Sequence, residues 1–278
     1  MSYNYRSLFS EVYSMNQTLL ELQGLSVGYS DPLIEDINLS IKHGEVIAIV
    51  GPSGIGKTTL LRTISGLVRP LGGKTIMNVE KRGGLGYIPQ KLGLVRHASV
   101  EHNIALGAMS SSKILQQLSF FRTTAIVVFL SSLIGSFFQM PFSTIFLPFS
   151  ALVVLILTII SQWTLNFEKK TTVWDSMKAV QLTEKRYEPV RRLSGGQQRR
   201  VATARTLAQS PSLIIADEFL SELDDENVEI VIQAIMNLIK QGSSLVMVEH
   251  NFQRAKKLAN RIWMVSDGKI TEEVIGDE

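Results

Sequence analysis

The sequence predicts an α/β fold: an antiparallel β part feeds a parallel, helix-covered core, and an α-helical subdomain is let into the chain. Three observations predict it. Apolar runs at 45–50 and 212–217 each precede a stretch of helical period, the pattern of strands buried on both faces. Residues 19–27 and 34–41 read as two strands joined by a Gly-Tyr-Ser-Asp-Pro turn at 28–32. The third observation is a glycine-rich loop at 51–56, lying between the first apolar run and a helix that opens at Lys57.

Composition sets the bounds. A chain of 278 residues makes one large domain or two small ones. Cysteine is absent, so there is no disulfide framework, in keeping with a reducing compartment. A net charge of +3 is too small to argue for nucleic acid. The first residues lack the continuous apolar core of a signal peptide, which predicts a cytosolic nucleotide site. Residues 123–167 contain no Asp, Glu, Lys, Arg or His. Without them the chain has the ordinary size of one nucleotide-binding domain.

Taken in order, residues 1–18 form an extension. It reads as a short amphipathic helix on Tyr5, Leu8, Phe9, Val12 and Tyr13, or as a frayed tail. Residues 19–91 hold the first part of the core. After the helix from Lys57, the chain breaks at 69–73, and 74–79 and 86–90 follow as short strands. Residues 92–192 are the helical subdomain, with a helix start at Ser99 and the uncharged run inside it. Residues 193–278 complete the core. Ser194 reads as the N-cap of a helix running to about Gln209, stopped by Ser210-Pro211. A strand at 212–217, a helix at 227–240, a strand at 243–248 and a hairpin around Asp267-Gly268 close the chain.

The chemistry lies at the ends of these elements. Gly51, Pro52, Ser53, Gly54, Ile55, Gly56, Lys57, Thr58 and Thr59 match Gly, four residues, Gly, Lys, Ser/Thr without a gap. Strand, loop and helix N-terminus make a cradle of backbone N–H groups for phosphate, aided by the helix dipole. Lys57 is suited to the β- and γ-phosphates, and the Thr58 hydroxyl to Mg²⁺. A second helix N-terminus, at Ser194, Gly195, Gly196 and Gln197, is a second phosphate-binding end. The strand at 212–217 ends in Asp217 and Glu218, which is what a Mg²⁺ ligand followed by a general base requires.

With those residues in hand, the chain resembles the ATP-binding subunit of an ABC transporter, over about 19–122 and 168–278. The phosphate loop, the signature from Leu193 to Gln198 and the Asp217-Glu218 strand end occur in the family's order. So do Gln90 for the Q-loop, 221–224 with Asp224 for the D-loop, and His250 for the switch histidine. Tyr29 stands where the family stacks a ring on adenine. The resemblance implies ATP and Mg²⁺ as cofactors and a head-to-tail dimer. In that dimer ATP lies between the phosphate loop of one copy and Ser194, Gly195 and Gly196 of the other. It implies that Glu218 polarises the attacking water, that Thr58, Gln90 and Asp217 serve the metal, and that Gln90 and His250 serve the γ-phosphate. Phe219 stands where the family often has Pro, Glu222 where Ala is common, and Glu249 where a small hydroxyl residue is usual. Residues 92–96 and 99–107 look like the phosphonate-type importer ATPases. Separate permease subunits and a solute-binding protein are implied with them.

The uncharged run falls in the subdomain that the family turns toward its permease. Two apolar arms, 123–140 and 143–163, are parted by Gln139-Met140-Pro141. As helices they extend ~27 and ~31 Å at ~1.5 Å per residue, close to the ~30 Å of a bilayer core. Lys113 and Arg122 precede them and Lys169 and Lys170 follow, so both outer ends are cytosolic in an inserted hairpin. Ser131/Gly135 and Ser132/Ser136 supply small pairs for close packing. Pro148 is a point where the second arm kinks or starts late, so a re-entrant hairpin stands beside a spanning one. A soluble helix pair buried between proteins is the plainer alternative, weakened because neither arm offers a charged face to water. The expected function is an ATPase subunit at the cytoplasmic face of the membrane, contacting the bilayer through 123–167. The alternative is a soluble ABC-type switch on ribosomes or DNA, against which stand the lack of a basic tail and the apolar run.

Overall fold

The computed structural model describes residues 18–111, 123–124, 126–127, 130, 143–221 and 223–275. In chain order its elements are β1 (Thr18–Gly28), β2 (Pro32–Lys42), β3 (Val46–Val50), α1 (Lys57–Ile64), β4 (Gly72–Met77), β5 (Leu85–Ile88), α2 (Val100–Met109), α3 (Ser143–Ala179), α4 (Gly195–Gln209), β6 (Leu213–Ala216), α5 (Asp225–Lys240), β7 (Ser244–Val248), α6 (Phe252–Leu258), β8 (Arg261–Ser266) and β9 (Lys269–Val274). Short 3-10 turns lie at Thr183–Lys185 and Val190–Arg192.

Two sheets result. β2, β1 and β4 form an antiparallel sheet in that order, and β5-β6-β7-β3-β8-β9 form a six-stranded sheet. The pairs from β5 to β8 are parallel, and β9 returns antiparallel as the hairpin partner of β8. Every residue of β3, β6 and β7 is buried because both faces of the sheet are covered. The alternation of a strand then divides the core. Val46, Ala48 and Val50 face the helical side, whereas Ile47 and Ile49 join a second cluster with α1 and the antiparallel sheet. α1 thus sits between the two sheets through Leu60, Leu61 and Ile64, which fixes the loop before it.

The sequence boundaries hold closely where end signals are strong. Ser99 caps α2 by accepting from His102 N. Ser194 and Gln197 form a reciprocal capping box at α4, and Ser210 adopts a left-handed φ of 50° where that helix stops.

The uncharged run departs from expectation. Its second arm is not a separate helix ending near Trp163. It is the start of α3, 37 residues long and about 55 Å at ~1.5 Å per residue. No Gly or Pro interrupts 149–179, so nothing stops the helix at the lysines. Pro148 lies near its start, where the missing N–H costs one intrahelical bond and the helix is retained. The far end of α3 is tied to the domain by buried Val173 and Met177. Among the described residues no helix is long and apolar enough to cross a membrane. The first arm, 123–140, lies almost wholly outside them, as do 1–17 and Glu222. The two-helix membrane insertion is therefore no part of the described fold. α6, only seven residues long and capped by Asn251 through Arg254 N, was not foreseen.

Candidate functional site

The site lies at the carboxyl ends of β3, β5, β6 and β7, where an open parallel sheet leaves a crevice. Strand pairing sets Ile88, Ala216 and Met247 level with one another, so Gln90, Asp217-Glu218 and Glu249-His250 emerge along one edge.

β3 delivers the phosphate loop. Gly51 crosses so close to the β8 backbone that a Cβ would stand 2.6 Å from the Val265 carbonyl oxygen. Gly56 caps α1 in the left-handed region at φ 110°, and neither a side-chain cap nor an acidic residue occupies the first turn. Those N–H groups and the helix dipole are thus left for an anion. Lys57 is buried, and its Nζ donates to the carbonyls of Gly51 and Pro52, each at 2.7 Å. Burial lowers its pKa, opposed by the negative charges of Glu218 and Asp217. Thr58 Oγ1 donates to Asp217 Oδ1 at 3.1 Å. Asp217 is 1% exposed, and its Oδ2 has no hydrogen-bond partner. Burial is the main cause raising its pKa. A hydroxyl and a buried carboxylate oxygen with no partner fit Mg²⁺, which takes one or two protein oxygens and keeps waters besides. Among the described residues no group of three or more histidine or acidic side chains is placed to hold a metal ion by itself.

Glu218 sits at the centre of the second half. Its Oε2 accepts from Gln90 Nε2 and its Oε1 meets His250 Nε2, both at 2.7 Å. The side chain stays 20% exposed, within reach of solvent. The backbone is in the left-handed region, φ 50°, and the carbonyl accepts from Ser221 Oγ at 2.7 Å and Arg199 Nη1 at 3.3 Å. Glu249 is buried beside the crevice. It is 6% exposed, with the backbone N–H of Asn251 donating to it at 2.8 Å and Arg254 paired with it. Phe219 is buried in the helical-side cluster, so an apolar ring takes the place of a turn residue.

The other expected site residues stand apart. Ser194, Gly195, Gly196 and Gln197 lie at the α4 N-terminus, and none of the described hydrogen bonds joins them to the phosphate loop. Gln197 is engaged in its own cap, accepting from Ser194 N at 3.2 Å. Gly196 packs against Leu223 and Asn227, where a Cβ would be 3.4 Å from the nearest atom. Asp224 caps α5, accepting from Asn227 N and Nδ2 at 2.8 and 2.6 Å, and those bonds lower its pKa. Tyr29 is 62% exposed beyond β1, and its hydroxyl lies beside the Arg62 guanidinium together with that of Tyr87. One chain therefore brings together Lys57, Thr58, Gln90, Asp217, Glu218 and His250, and leaves the α4 N-terminus facing outward. Sequence reasoning missed Arg199 and Ser221 as neighbours of Glu218. A polar residue five positions into a helix carries no signal of what it reaches.

Comparison with known proteins follows this geometry. The family model described as ABC transporter matches residues 34–221, more than half of the chain. The glutamine transport ATP-binding protein of Bacillus subtilis (strain 168) is 31% identical over 94% of this chain and 92% of its own length. The phosphonates import ATP-binding protein of Escherichia coli O157:H7 is 29% identical over 91% of this chain and 88% of its own. Among solved structures, a dimeric ATP-binding cassette in a post-hydrolysis state bound to ADP and Pi has a TM-score of 0.66 at 22% identity. It covers 93% of this chain and 100% of that one. The cbiO1 protein of Clostridium perfringens, part of an ABC transporter complex, also has a TM-score of 0.66, at 20% identity, covering 94% and 90%. These two likenesses speak to the fold.

Proposed function

The chain belongs to the ABC transporter family, and we propose that it is the ATP-hydrolysing subunit of an importer that works through separate permease subunits. It is an ATPase, and ATP and Mg²⁺ are its cofactors. The observation that carries the mechanism is Glu218 held between Gln90 and His250, one residue beyond a buried Asp217 that is bonded to Thr58 of the phosphate loop.

From these positions the roles follow. Lys57 and the uncapped N–H groups of α1 bind and neutralise the phosphates. When bound, Mg²⁺ offsets developing phosphate charge, and Thr58, Asp217 and Gln90 are the residues that would hold it. Glu218 accepts the proton of the attacking water, while His250 and Gln90 orient its two oxygens. Catalysis is positioning and charge stabilisation rather than covalent chemistry. The outward-facing Ser194–Gly196 end supports a head-to-tail dimer in which a second copy completes each site. Asp224 then lies at the junction as well as capping α5, and Tyr29 offers an exposed ring for adenine.

Relatives named for glutamine, arginine and glutamate transport lie at 26–31% identity, beside the phosphonate protein at 29%. We read the solute as a small polar one, amino acid or phosphonate, delivered by an extracytoplasmic binding protein. Residues 123–167 hold the subunit in or against the cytoplasmic face of the membrane. Support comes from the absence of charge there and from exposed Leu152, Ile156, Ile159, Trp163 and Phe167, spaced to lie along one face of α3. Two tests separate these claims. Glu218→Gln should keep ATP affinity and lose about 10²–10⁴-fold in turnover, the usual worth of a general base; wild-type turnover would remove Glu218 from that role. Deleting 123–167 should release the chain from carbonate-washed membranes and from its permease, and unchanged retention would refute the anchor.

A further inference from the structure

Glu218 occupies a left-handed backbone, φ 50°. For a residue with a Cβ such a conformation is strained and persists only when its surroundings impose it. Gln90 and His250 grip the carboxylate, but neither holds the backbone. The carbonyl oxygen shows what does. Ser221, three residues on, donates to it from both backbone N, at 3.1 Å, and Oγ, at 2.7 Å. The remaining donor comes from elsewhere in the fold: Nη1 of Arg199, at 3.3 Å. Arg199 is 6% exposed and belongs to α4, five residues after its cap Ser194.

We propose that Arg199 is a positioning residue for hydrolysis: it holds the Glu218 carbonyl, and with it the strained turn that aims the carboxylate between Gln90 and His250. The inference rests on the reading of Glu218 as the base and deepens it. The seat of the base is built partly by the same helix whose N-terminus serves the partner's nucleotide. Arg199 therefore acts on its own chain's Glu218, whereas Ser194 acts on the other copy's ATP. The two effects are separable.

The first measurement uses the full-length chain carrying Arg199→Met or Arg199→Lys. The Met variant should lose about tenfold or more in kcat with the KM for ATP within about twofold, because the lost contact serves the reacting geometry and not ground-state binding. Lys, which can still place one donor, should recover part of the loss. An unchanged kcat, or a KM that rises in step, overturns the proposal. The second uses mixed dimers of identical composition, each with one Arg199→Met and one Glu218→Gln. In one, the two substitutions are on different chains, so the intact Glu218 lacks its arginine. In the other, both are on one chain, and the intact Glu218 keeps it. The first should be nearly inactive and the second should retain about half of wild-type turnover, since only one of two sites is disabled. Equal activities would mean a structural effect only, and a greater loss in the second would assign Arg199 to the partner's ATP; either result overturns the proposal. Any general loss of folding is shared by both mixtures. If the chain hydrolyses ATP without pairing, the dimer reading fails, and the kcat and KM of the single variants still decide the role of Arg199.

Discussion

Replacing Asp217 by Asn should stabilise the ligand-free protein while removing its response to Mg²⁺-ATP. Asp217 is 1% exposed; one carboxylate oxygen accepts from Thr58 and the other has no partner. Leaving a buried polar group unsatisfied costs about 1–3 kcal/mol, and a hydrogen bond such as that from Thr58 returns about 1 kcal/mol, so the buried carboxylate carries a net cost of about 0–2 kcal/mol. Asn keeps the acceptor for Thr58 and discards the charge, although its amide N–H groups take the unpartnered place of Oδ2, so the gain is that of the charge alone. For a chain of this size, about 1 kcal/mol corresponds to a Tm shift of about 2–4 °C. The pH dependence has a definite sign. Burial raises the Asp217 pKa above its unfolded value. The stability it contributes is therefore fully present below the unfolded value of about 4 and is lost as pH rises through the folded value. Calorimetry on both proteins should show them matched at low pH, with the variant gaining from about pH 4 upward. Mg²⁺-ATP should raise the Tm of the wild type and leave the variant nearly unmoved. A variant less stable than the wild type at pH 7, or one retaining the Mg²⁺-dependent shift, would refute this account of the carboxylate.

Two further substitutions probe the phosphate loop and the α4 N-terminus. Ser194→Ala should cost about 1 kcal/mol in thermal unfolding through loss of the α4 cap. It should also depress turnover while nucleotide binding to the chain's own phosphate loop, read by fluorescent-nucleotide titration, stays unchanged. Gly51→Ala should abolish nucleotide binding, because its Cβ would stand 2.6 Å from the Val265 carbonyl and push the loop off β8; retention of wild-type affinity would show that the loop tolerates the shift.

Much of this site was legible because its chemistry is tied to strand ends. Asp217-Glu218 and Glu249-His250 follow continuous apolar runs, and a buried strand can end only where polar residues can leave the sheet. Caps were equally readable at Ser99 and Ser194, which each accept from the N–H three residues on. The arrangement of α3 was not. Pro148 and the lysine pair read as boundaries, yet a proline near a helix start is tolerated, and charges end a helix only when a better conformer competes. Residues 143–167 of the uncharged run are thereby part of a helix anchored in the subdomain at Val173 and Met177. The link from Arg199 to Glu218 was hidden for a different reason. It joins residues 19 positions apart through a backbone carbonyl, and no side-chain pattern records that.

The central claim is that ATP closes two copies of this chain around sites that neither completes alone. It is tested most directly by the mass of the full-length Glu218→Gln variant, measured by light scattering with and without ATP. The account predicts a doubling with ATP, reversed by ADP and absent when Lys57→Ala is added. An unchanged mass at saturating bound ATP would contradict it.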